Sequence, residues 1–180
     1  LMSERPANPV TITSAGKQTK IDKSLISLVL EAVKKIPQDE LEARVDHSIK
    51  WIDFTKPKKR EQIRGRVCQF RGTLRRLKKT PGVTFPDLGI DSIYEGQIQG
   101  AKGHWYSFYC LSKPQPEIER SDVAILTGVY YKLIRYSTRG GDEKIVPLFI
   151  TNTITSERGY DTPSAGSSRV SGYIPTWSIY

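Results

Sequence analysis

Two stretches of this chain repeat one pattern, and that pattern constrains the fold more than any other feature. Phe70-Arg71-Gly72-Thr73-Leu74-Arg75-Arg76-Leu77 aligns with Leu126-Thr127-Gly128-Val129-Tyr130-Tyr131-Lys132-Leu133. Each has an apolar residue, a glycine two places on, a large apolar residue, a basic residue and then Leu. Each also lies inside a long run of strand-forming residues, near 66–79 and 122–136. Glycine inside a strand normally weakens it, so its recurrence at equivalent places reads as a sharply coiled or bulged strand. Two long strands, each bent at a glycine, are what a small closed barrel needs to turn its corners.

The rest of the chain parses around that pair. Alternating apolar and polar residues predict further strands near 92–99, 104–112 and 144–154, with Phe70, Leu74, Leu126 and Tyr130 facing inward. Residues 80–89 read as a loop, 113–121 as a long connection, and Gly140-Gly141 as a hairpin turn. Pro147 lies inside the fifth strand, which should therefore sit at an edge or carry a bulge. Upstream, Asp22 or Ser24 caps a helix running to Ile36. Its stripe comprises Leu25, Leu28, Val29, Ala32, Val33 and Ile36. Pro37 ends it. Asp39 and Glu40 open a second helix bearing Leu41, Val45, Ile49 and Ile52. The expected organisation is a flexible arm (1–21), a helical pair packed on the barrel (22–55), a basic linker marking the domain boundary (56–63), the barrel (64–154) and a Ser/Gly/Pro-rich tail (155–180). The fold class is mostly β: a five-stranded barrel preceded by helices.

Five strands, the first and fourth long and Gly-bent, with a longer connection between third and fourth, resemble an OB-fold barrel. The segment order is similar to that of an uncharacterised bacterial family of membrane-anchored proteins with an OB-like extracytoplasmic domain. The features carrying it are the paired helices and the segments RGRVCQFRGTLRRL, IYEGQI, DVAILTGVYYKLIRY and VPLFITNTI. The resemblance implies a fold and a location on the extracytoplasmic side of a bacterial membrane. It brings no invariant chemistry with it.

Catalytic chemistry is hard to assemble from these residues. The chain has two cysteines, Cys68 and Cys110, and two histidines, His47 and His104. None of them forms a paired-ligand motif of the kind a zinc site uses. Cys110 and His104 share a strand face but stand roughly 20 Å apart along it, far beyond the reach of a nucleophile–base pair. The expectation is no catalytic site, no metal and no cofactor.

Charge points instead to binding. Between residues 56 and 79 eleven Lys or Arg side chains face only Glu61, in a chain whose net charge is +9. Such clustering attracts polyanions. A solvated linker followed by a strand with a basic outer face would show the same run. Aromatics crowd the third strand. If Tyr106, Phe108 and Cys110 point in, then Trp105, Tyr109 and Leu111 point out. An outward Trp–Tyr pair beside a basic strand could stack single-stranded bases, or it could pack beneath the N-terminal helices.

Two functions follow. The first is a non-catalytic OB-like binding or scaffold module of a bacterial membrane-associated protein, with a protein partner and an anchor outside this chain. The second is a single-stranded nucleic-acid or polyanion binder, cytoplasmic in that case, using Lys58, Arg60, Arg71, Arg75, Lys79, Trp105 and Tyr109. Tyr173, Trp177 and Tyr180 cluster at the end of the tail, as aromatics do at a membrane–water boundary. The expectation there is a linker over 155–172, leading past Tyr180 into a hydrophobic span.

Overall fold

The computed structural model describes residues 10–14, 17–21, 23–80, 85–114, 117–137 and 143–157. Of the expected linker over 155–172, residues 158–172 lie outside them, as does the aromatic cluster at 173–180. Five strands close into a ring that is not evenly barrel-shaped. They are β3 (Val67–Thr80), β4 (Ile93–Gln99), β5 (Trp105–Cys110), β6 (Val123–Ser137) and β7 (Glu143–Thr151). Their order around the ring is β3-β4-β5-β7-β6 and back to β3. Every pairing in it is antiparallel except β5–β7.

The repeated glycines sit where each long strand changes partner. Gly72 pairs with Ala124 of β6, and Thr73 beside it pairs with both Val123 of β6 and Gln99 of β4. Gly128 pairs with Cys68 of β3, and Val129 pairs with both Val67 and Ile150 of β7. At such a hand-over the backbones crowd. A Cβ on Gly72 would lie 2.7 Å from the Gln99 carbonyl oxygen, and one on Gly128 2.8 Å from that of Ile150. Glycine is there because a neighbouring backbone occupies the side-chain position.

Each strand is then bulged at equivalent places, between Leu74 and Arg76 in β3 and between Tyr130 and Lys132 in β6. The extra residue shifts the alternation by one. Leu74 and Tyr130 face inward before the bulges, and Leu77 and Leu133 face inward after them. Phe70 is only partly buried, against the same core. Pro147 obeys its restriction without an edge strand. It pairs with Leu133 on one side, and the parallel ladder to β5 begins only at Leu148, so no partner needs its missing N–H.

The ring separates two cores. Inside it pack Leu74, Phe108, Leu126, Tyr130 and Phe149, closed by Phe54 and Ile63. Outside it, α1 (Lys23–Lys35) and α2 (Gln38–Ala43) lay Ile26, Leu30, Val33 and Leu41 on Tyr109, Leu148 and Ile150. β7 is thus buried on both faces. Leu28 and Ala32, expected in the helical stripe, are exposed, because the face used runs through Ile26, Val29, Leu30 and Val33. Val29, Val33 and Ile36 of the expected stripe do pack there, so the docked face is the expected one turned toward Ile26 and Leu30.

Four other expectations are corrected. The arm contains a hairpin, β1 (Val10–Ser14) with β2 (Lys17–Ile21). The second helix stops at Ala43, and a separate α3 (Trp51–Thr55) follows. The Lys50 N–H donates to Asp53 Oδ2 at 2.8 Å at its start. The basic linker is helical over most of its length, as α4 (Pro57–Ile63), because Pro57 is well suited to a first helical position and Ile63 is anchored in the barrel core. The tail likewise begins in order. β8 (Thr155–Ser156) pairs with Ala124 and Ile125 of β6.

Candidate functional site

The seven residues singled out from sequence do not converge. Lys58 and Arg60 ride on α4, and Arg60 donates to the Phe54 carbonyl at 3.5 Å. Arg71 is claimed by Glu157 through two bonds, Nε to Oε1 at 2.7 Å and Nη2 to Oε2 at 2.6 Å. Trp105 is half-buried at the far end of β5, with the Lys144 ammonium 5.6 Å from its ring centre. Tyr109 does point outward, but α1 covers it and leaves 6% exposed. Burial pushes its phenol well above the ordinary range, with the Glu95 carboxylate adding to the shift. Its ring is therefore not available to a ligand.

Arg75 and Lys79 remain, and they line one cleft of about 380 Å³. The β3 bulge builds its first wall. Arg75 is the extra residue and donates Nε to Gln99 Oε1 at 3.0 Å. Arg76 and Lys78 follow, opposite Gln97 and Glu95 in register. Lys79 pairs with Tyr94. The second wall comes from the connection after β5, which contributes Lys113, Glu117 and Arg120. Leu77, Tyr94 and Ile118 form the floor between them.

The second wall is held in place. The Ser121 N–H donates to the Leu74 carbonyl, and the Leu74 N–H to the Asp122 carbonyl, both at 2.8 Å. Asp122 Oδ2 accepts from the Glu119 N–H at 3.0 Å. Ser121 carries a φ of 81°, a conformation that costs a side-chain-bearing residue about 1–2 kcal/mol. Those bonds fix the turn beside Arg120 against β3 despite that cost.

The cleft carries uncompensated charge. Elsewhere some cations are matched, as Lys35 with Glu31 at 2.6 Å, Arg64 with Glu61 at 3.4 Å, Arg44 with Glu40, and Arg71 with Glu157, while others, such as Lys58, Lys59 and Arg60 on α4, make no ion pair among the described residues either. In the cleft only Lys113 has an acidic partner, Glu117 at 2.9 Å, whose carboxylate raises the Lys113 ammonium above its usual range. Arg75, Arg76, Lys78, Lys79 and Arg120 make no ion pair among the described residues. Sequence reasoning missed Arg76 and Lys78 as site residues, although they stand in the same charge run. It missed Lys113, Arg120 and Tyr94 because only the ring brings them to β3.

The cysteines and His104 pack into the fold. Burial pushes the Cys68 and Cys110 thiols up to about 12, which removes the thiolate at neutral pH. His104 stacks on Trp51 with ring centres 4.6 Å apart. Among the described residues no three His, Cys, Asp or Glu side chains are grouped to hold a metal ion. No helix among them is long and apolar enough to cross a membrane. In comparisons with known proteins, no family matches this chain and no curated protein is similar to it.

Proposed function

We propose that this chain is a non-catalytic, OB-like binding module whose ligand surface is the cleft between β3 and the 113–120 connection, and that the ligand is anionic. The OB-like part is supported by the order of the ring. Its first strand pairs with the second, the second with the third, the third in parallel with the fifth, the fifth with the fourth, and the fourth with the first. The non-catalytic part is supported by the buried thiols and the stacked His104. A bacterial, membrane-associated, extracytoplasmic setting belongs to the same proposal and draws on the resemblance in segment order.

One observation carries the reading. Five cations that make no ion pair among the described residues, Arg75, Arg76, Lys78, Lys79 and Arg120, contribute to the lining of one cleft. Like charges held together repel, and an anion that neutralises them regains that energy. Titration with dextran sulfate tests it. Binding is expected at about 50 mM salt and should weaken steeply by about 300 mM. It should be lost in Lys79→Glu/Arg120→Glu and kept in Lys58→Glu/Lys59→Glu, which changes net charge equally on α4. Absence of binding to the folded protein at the lower salt overturns the proposal.

A further inference from the structure

We infer that the ligand is an extended acidic segment of a partner protein, added as a strand along the free edge of β3, a narrower claim that rests on reading the cleft as an anion site. β3 pairs with β6 only as far as Thr73, and with β4 from Thr73 to Thr80. On the side away from β4, the Leu74 N–H and carbonyl bond Asp122 and Ser121. Past Leu74 no backbone–backbone hydrogen bond closes that side among the described residues. Residues 75–79 therefore present an open strand edge about 17 Å long, and this edge forms the first wall of the cleft. The two faces beside it differ. Leu77 turns inward over the floor, with Lys79 and Tyr94 on its side, whereas Arg76 and Lys78 turn to the opposite face. A compact anion on one face cannot meet the cations of the other. An extended peptide lying along the edge sends alternate side chains to both. Its acidic residues can stand beside Arg76 and Lys78 while the apolar residues between them cover Leu77 and Ile118. Arg120 and Lys113 flank it from the second wall. A second copy of this chain is the wrong occupant, because two such edges would bring Arg76, Lys78 and Lys79 against their own charges.

Fluorescence titration and amide hydrogen exchange test it together, with a labelled peptide of about eight residues alternating Glu and Val as the probe. Its block isomer, with the same Glu and Val residues segregated, has equal charge but cannot send acids to one face and apolar groups to the other. The alternating peptide is expected to bind about tenfold more tightly than the block isomer, the sum of several cross-strand pairs. It should also slow exchange of backbone amides within residues 75–79. N-methylation then removes donors from alternate residues of the peptide. Methylating one set should weaken binding about tenfold and methylating the other should leave it within about threefold, since only one set turns its backbone to β3. These comparisons need no protein variant. Equal binding of the two isomers, equal effects of the two methylation patterns, or protection confined to other residues overturns this inference. So does protection of residues 75–79 that rises with protein concentration in the absence of peptide, which would give the edge to a second copy. If dextran sulfate binds and the alternating peptide does not, the inference falls and the anion-binding module stands. Failure of every polyanion to bind overturns both.

Discussion

Gly128 shows how one residue serves the ring. Its φ lies outside the left-handed region, so alanine is allowed there by the backbone and would gain up to about 1 kcal/mol by restricting the unfolded chain. The added methyl would instead meet the Ile150 carbonyl oxygen at 2.8 Å. Overpacking against a backbone atom that cannot swing away costs about 1–3 kcal/mol, so the clash wins. Urea denaturation of Gly128→Ala should show a net loss of stability, and no loss would mean that the strands can separate at the hand-over without cost. His104 offers a second single-residue test. Burial, with the Lys102 charge adding to it, holds its imidazole below the ordinary value. The unfolded chain therefore takes up this proton more readily than the fold. The contribution of His104 is complete above about pH 6.5 and declines as pH falls from there through the lower folded value. Wild-type stability should drop more steeply between pH 7 and 5 than that of His104→Gln. Parallel profiles would mean that the ring titrates freely.

At the scale of elements, α1 decides what the sheet can offer to solvent. Leu30 is fully buried over the barrel and Leu28 is 63% exposed, two positions apart on the same helix. Leu30→Ala should cost about 2–5 kcal/mol. Leu28→Ala should stay within about 0.5 kcal/mol of wild type. A comparable loss for both in thermal melts would mean that the helix docks by the face first read from its periodicity. Docking by the face through Ile26 and Leu30 also explains why Tyr109 serves as packing for the helix. The same sheet face cannot both hold α1 and stack a ligand. The bulge in β3 acts at this scale too, turning Leu77 into the ring and, by alternation, Arg76 and Lys78 to the opposite face with Gln97 and Glu95.

For the whole molecule, closure of the ring sequesters its reactive groups. Cys68 and Cys110 are both free and buried in the inner core. A thiol reagent such as DTNB should modify neither at a measurable rate in the folded protein, and both at once on unfolding in denaturant. Rapid labelling of one thiol under native conditions would show local opening of the ring. Much of this architecture was legible in the sequence. Alternation located the five strands to within a few residues, because side-chain period is a local property of a strand with one face on a core. The repeated glycines announced a closed, sharply coiled sheet, because the space denied to a Cβ is written into the residue type. Local pattern is less informative on the exact rotation of a helix, and α1 keeps Val29, Val33 and Ile36 of its expected stripe but presents Ile26 and Leu30 in place of Leu28 and Ala32. It is equally silent on how charges will be paired. Arg71 looked like its basic neighbours until Glu157, 86 residues away, was brought to it by β8. Lys113 and Arg120 reach β3 only because the connection between β5 and β6 returns to it, where Ser121 and Asp122 bond the Leu74 backbone. Composition determined that this protein would carry a surplus of positive charge, and tertiary structure alone decided where that surplus went unanswered, since an ion pair depends on distance in space and not on separation along the chain.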